Sequence, residues 1–82
     1  MQLPYSNKLL DIYRSMQHEL SGIYSAEEIR AMWFLLLEAF FGWSMMKALQ
    51  RESETLTESE MLRLHYAIKD LKAEKPVQYI TG

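Results

Sequence analysis

Apolar residues recur along this chain at the helical period in three long stretches, divided by short polar breaks. In the first, over residues 6–20, Leu9, Ile12, Tyr13, Met16 and Leu20 fall on one stripe. Ser21-Gly22 ends it, with Gly22 expected to take the left-handed conformation that closes a helix. The second stretch opens on the clearest start signal in the chain. Ser25 and Glu28 have the spacing of a capping box, in which each side chain satisfies the other residue's free backbone amide. Tyr24 and Ile29 flank it at the positions of a hydrophobic staple. Ile29, Met32, Trp33, Leu36, Leu37 and Phe40 then form a core stripe. Phe34, Leu35 and Phe41 widen it until the helix is apolar nearly all round, which predicts a central helix touched from several sides.

Gly42 breaks this run, and Ser44 is placed to cap a short helix carrying Met45, Met46 and Leu49. Residues 50–55 are polar and predict a loop. Thr57 and Glu60 form a second capping box, flanked by Leu56 and Met61. Behind it Met61, Leu64, Ile68 and Leu71 make an inner face. Glu58 and Glu60 lie in the first turn and Lys69, Lys72 and Lys75 towards the end, the distribution that the helix dipole favours. Pro76 stops the helix, and residues 77–80 fit either a short helical turn or the start of an extended linker. The pattern predicts an all-α protein, a small antiparallel bundle of four to five helices with short connections over residues 1–75. A linker then begins at residues 76–82.

Composition narrows the function more than the fold. A chain of 82 residues without cysteine has no disulfide or thiolate metal site to reinforce a thin core, so helix packing must supply the stability. The lack of cysteine is compatible with the cytoplasm. With a net charge of -2 and basic residues interleaved with acidic ones, no basic face for direct nucleic-acid binding is expected. Residues 1–5 have neither the basic nor the apolar region of a signal peptide. Residues 31–46 are the one stretch that invites comparison with a membrane span. A span needs about 20 apolar residues, and an acid at its centre such as Glu38 costs roughly 2.5–3.5 kcal/mol. A buried helix is expected there, and no membrane partner.

No catalytic, cofactor-binding or metal-ligating residue is expected in this chain. His18 and His65 are the only histidines, and neither has a second ligand at helical spacing. His65 lies beside the core stripe, where a hydrogen-bonded structural role is expected, and His18 faces water. Ser6, Ser25 and Ser44 are placed as caps and Ser21 in a turn, none of them in a Gly-x-Ser-x-Gly context. Gly22, Gly42 and Gly82 are too far apart for a phosphate-cradling loop. The carboxylate pairs Glu27-Glu28 and Glu58 with Glu60 sit in first turns, where capping explains them. That leaves the aromatic run Trp33, Phe34, Phe40, Phe41 and Trp43. It is either core or, in part, a patch that docks a partner through Trp43, Met45 and Met46.

In order along the chain, several segments resemble the amino-terminal domain of the HemK/PrmC family, the peptide chain release factor glutamine methyltransferases. Leu35-Leu36-Leu37-Glu38-Ala39-Phe40-Phe41-Gly42, followed by Trp43-Ser44, is similar to the family's Leu-rich helix that ends in a glycine before an apolar residue and a serine. Leu56-Thr57 is similar to the start of its next long helix. Lys75-Pro76-Val77-Gln78-Tyr79-Ile80-Thr81-Gly82 is similar to the Glu-Pro-x-x-Tyr-Ile-x-Gly that joins the helical to the catalytic domain. Pro76, Tyr79, Ile80 and Gly82 keep that spacing and are the candidate interdomain residues. The family usually has Gly-Glu before the proline and a pair of arginines shortly before that, where this chain reads Leu71-Lys72-Ala73-Glu74-Lys75.

The resemblance implies a division of labour. A catalytic domain expected beyond Gly82 binds S-adenosylmethionine and methylates the glutamine of the Gly-Gly-Gln motif in class I release factors, a step of translation termination. The helical domain helps to dock the release factor, so the expected partners are that protein and the chain's own catalytic domain. The alternative from a different class is a free-standing helical interaction module that binds a partner helix through the surface around Trp43, Met45 and Met46.

Overall fold

The computed structural model describes residues 7–81, so the expected helix start at Ser6 and the linker residue Gly82 lie outside the described residues. The described residues form five helices: α1 (Leu9–Leu20), α2 (Ala26–Phe41), α3 (Met45–Gln50), α4 (Glu58–Lys72) and α5 (Val77–Thr81). Among the described residues none is long and apolar enough to cross a membrane.

Local chemistry starts and stops the long helices. At α2 the Ser25 hydroxyl accepts from the Glu28 amide at 3.1 Å and the Glu28 carboxylate accepts from the Ser25 amide at 2.9 Å. Thr57 and Glu60 do the same at α4. Ser44 caps α3 by accepting from the Lys47 amide. α2 ends on Gly42, whose φ of 70° is left-handed and whose amide donates to the Glu38 carbonyl. Gly22 behaves otherwise. It does not have positive φ, and α1 closes through Ser21 in an ordinary helical conformation with the Ile23 and Tyr24 amides donating to the Leu20 carbonyl. The glycine is not what ends α1.

α1 starts without a side-chain cap. Its first amides are satisfied from across the molecule, Leu9 donating to the Glu54 carbonyl and Leu10 to that of Glu52, both at 3.0 Å. Beside them Lys8 pairs with Thr55 in an isolated antiparallel bridge, and the Leu56 amide donates to the Asn7 carbonyl. The polar loop therefore caps a helix more than forty residues away from it in the chain.

These contacts also set the direction of the helices. The starts of α1 and α4 are joined at Asn7 and Leu56, and their ends by a Glu19–Lys72 ion pair of 2.7 Å. α1 and α4, the most extensive pairing in the fold, thus run in the same sense. α2 runs against both, since Tyr24 at its start donates from its hydroxyl to the Leu71 carbonyl at the end of α4. The antiparallel relation expected of the bundle holds between consecutive long helices.

The core is apolar throughout. Leu9, Ile12, Met16 and Leu20 of α1 meet Ile29, Trp33, Leu36 and Leu37 of α2, and Met61, Leu64, Ala67, Ile68 and Leu71 of α4. Leu56 closes one end. α2 contacts α1, α3 and α5, as a central helix should, but it is not covered all round: Ala31, Leu35 and Glu38 form an exposed strip. α3 turns inward with Ala48 alone, leaving Met45, Met46 and Leu49 outside.

The capping boxes couple stability to acid. The Glu28 carboxyl is held below the usual carboxylate range by the hydrogen bond from the Ser25 backbone, and that of Glu19 by its hydrogen bond from Lys72. A carboxyl whose folded pKa is depressed contributes stability above its unfolded pKa and loses it as pH falls through the folded one. Stability should therefore be level near neutrality and decline below about pH 4.3, the unperturbed glutamate value. Glu28→Gln, which keeps an acceptor oxygen but cannot titrate, should decline less steeply in melts recorded between pH 7 and 3. Parallel curves for the two proteins would contradict this.

Candidate functional site

The described residues contain no group of three or more histidine, cysteine, aspartate or glutamate side chains that could hold a metal ion. His18 is exposed at the end of α1, and its carbonyl accepts from the Ser21 hydroxyl. His65 is half-buried beside the core, where the sequence pattern put it. Ser25 and Ser44 are engaged as caps, and of the first-turn glutamates Glu28 and Glu60 hold backbone amides. What the molecule offers instead is surface, in two places.

The first is the junction of α2 and α3. Met45 and Met46 are 52 and 71% exposed, as a docking patch requires. Trp43 belongs partly to the core. It is half-buried, packed against the core cluster, with the Phe41 ring 5.0 Å away on one side and the Arg51 guanidinium 5.0 Å from its ring centre. Leu35, expected to widen the buried stripe, is 46% exposed and joins the patch. Together with Ala31, Phe34, Glu38, Trp43 and Met45 it lines a shallow groove between the two helices. Leu35 had a signal: Ala31, Leu35 and Glu38 share a helix face, and a face that carries alanine and glutamate beside one leucine is not a core face.

The second place is the chain's exit from the bundle. Residues 77–81 form a helical turn, not an extended linker, with the Tyr79 amide donating to the Pro76 carbonyl at 3.0 Å. α5 packs against α2 and α4, and Ile80 lies against the core. Tyr79 is 72% exposed, with the Lys75 ammonium 5.5 Å from its ring centre. Pro76 is exposed at the bend between α4 and α5. Of the four candidate interdomain residues, Ile80 is thus an anchor to the bundle, while Pro76 and Tyr79 face outward.

The bend is made by Glu74. Its amide donates to the Leu71 carbonyl at 2.8 Å and that of Lys75 to the Asp70 carbonyl at 3.1 Å, the paired bonds of a Schellman motif. This requires a left-handed residue at the turn, and Glu74 has φ of 63°.

The PrmC N-terminal domain family model matches residues 11–82. The chain belongs to this family. No curated protein and no solved structure gives a match. Membership gives the Glu74 conformation a meaning, because position 74 is where the family's Gly-Glu-Pro pattern carries its glycine. The left-handed turn explains the glycine, and a glutamate here bears the steric cost of Cβ. Glu74→Gly should stabilise the domain by about 1 kcal/mol, read as a higher urea midpoint at unchanged slope. No gain would mean that the Lys75–Asp70 and Schellman bonds already absorb the strain.

Proposed function

We propose that this chain is the substrate-docking domain of an S-adenosylmethionine-dependent protein-(glutamine) N-methyltransferase that acts on class I peptide chain release factors in the cytoplasm. The observation that carries this reading is the family match, which runs from the first helix through the 76–82 segment. The chemistry passes a methyl group from the sulfonium of S-adenosylmethionine to an amide nitrogen, which loses a proton. A large protein substrate must be oriented before one glutamine side chain can reach the cofactor, and a rigid helical domain lowers the entropic cost of that orientation. α5 supports the same role. By turning the chain through Glu74 and Pro76 and anchoring Ile80, it gives whatever follows a defined departure from the bundle instead of a free tether.

The test is a methylation assay on an intact class I release factor. The product of the full reading frame is compared with one lacking residues 1–75. Loss of the domain should raise KM for the release factor roughly tenfold or more and leave KM for S-adenosylmethionine unchanged. Equal KM values for the release factor, or no methyl group on the Gly-Gly-Gln glutamine, would overturn the proposal.

A further inference from the structure

The half-buried aromatic rings along α2 are covered from within the chain. The Arg30 guanidinium stands 5.2 Å from the Phe34 ring centre, Arg51 5.0 Å from that of Trp43, and Arg63 4.4 Å from that of Phe40. Such cations occupy ring faces that a partner would otherwise use. Leu35, Met45 and Met46 have no such cover and are 46, 52 and 71% exposed. Leu35 and Met45 line the α2–α3 groove, and Glu38 is its only ionisable lining residue. Among the described residues the Glu38 carboxylate has no ion pair. On this face an apolar strip and one acid are left without such cover.

We propose that the α2–α3 groove receives an amphipathic helix of the protein substrate, with its apolar stripe on Leu35 and Met45 and a lysine or arginine beside that stripe meeting Glu38. The proposal rests on the docking reading above and names the surface and the chemistry of what it binds. Ala31, Leu35 and Glu38, spaced i, i+4 and i+7, form a straight row with a small residue at one end, the relief into which the ridge of another helix fits. The unbranched methionines adapt their shape to such a ridge. A basic residue opposite Glu38 fixes the register and direction of the incoming helix. A second copy paired groove to groove fits poorly: its lining residues bring a second Glu38 carboxylate and no cation opposite the first.

The experiment labels the methionine methyl groups of the chain and titrates it with an intact class I release factor, following the methyl resonances and the affinity together. The Met45 and Met46 signals should shift or broaden while that of buried Met16 does not. Glu38→Lys should weaken binding roughly three- to tenfold and Leu35→Glu by about tenfold or more. Both positions are exposed, so helicity should be unchanged and the melting temperature should fall by no more than about 4 °C. Binding that leaves Met45 and Met46 unmoved, or that is indifferent to both substitutions, overturns the groove while the docking reading stands. No binding of the release factor at all removes both. Methyl shifts that follow the chain's own concentration would assign the groove to a second copy and overturn the proposal as well.

Discussion

Leu64→Ala is expected to destabilise the domain by about 3 kcal/mol and to lower its melting temperature by roughly 12–24 °C. Leu64 is fully buried on α4, within the pairing of α1 and α4 that is the most extensive in the fold. Removing its branched end loses transfer free energy and leaves a cavity that rigid neighbouring helices fill only partly. A domain of this size has a total stability of only about 4–12 kcal/mol, and among the described residues no disulfide, metal cluster or buried polar network holds the core together. One leucine therefore decides a large share of whether the chain folds. Leu35→Ala is the internal control: the same atoms are removed from an exposed site, and the loss should stay at ~0.5 kcal/mol. Urea titrations of the two variants make the comparison. Similar midpoints for both would mean that Leu64 is not the core contact its burial indicates.

The second large effect separates two glycines that look alike in the sequence. Gly42→Ala should cost about 1–2 kcal/mol, because residue 42 holds φ of 70° and a Cβ there strains against its own backbone. Gly22→Ala should cost nothing or stabilise slightly, by up to about 1 kcal/mol. Residue 22 has no positive φ, and an added Cβ would meet no atom within 4 Å. It would only reduce the freedom of the unfolded chain. Thermal melts of the two alanine variants against the parent protein decide the matter. A loss at position 22 equal to that at 42 would show that the left-handed cap at Gly42 is not the source of the cost.

The legible parts of this fold were those that depend on neighbours in the chain. Ser25 with Glu28, Thr57 with Glu60, and Ser44 ahead of α3 act over three residues, so their spacing alone predicts the caps that are found. The stripes of α1 and α4 were readable because each helix buries a single face, and a single face imposes the helical period on the sequence. α2 was less so. Its composition is apolar enough to mask which residues face outward, and Leu35 was misplaced for that reason. On the candidate surface, the sequence left core and patch open for Met45 and Met46, and α3 decides it by turning Ala48 inward. The half-burial of Trp43 was no more legible, because it depends on Phe41 and Arg51 converging on the ring.

By itself, then, the sequence determined where α2, α3 and α4 begin and that α2 ends at Gly42, which faces of α1 and α4 are buried, and, through the order and spacing of its motifs, the family. Tertiary structure alone decided the start of α1, whose amides are capped by carbonyls of the 52–54 loop. It also decided the shared direction of α1 and α4, the inward turn of Ala48 in α3, and the packing of α5 through Ile80. Each of these is a contact between residues distant in the chain. Local spacing specifies hydrogen bonds within a turn or two, whereas the choice among distant partners is made by which arrangement buries the most apolar surface and leaves no backbone group unsatisfied.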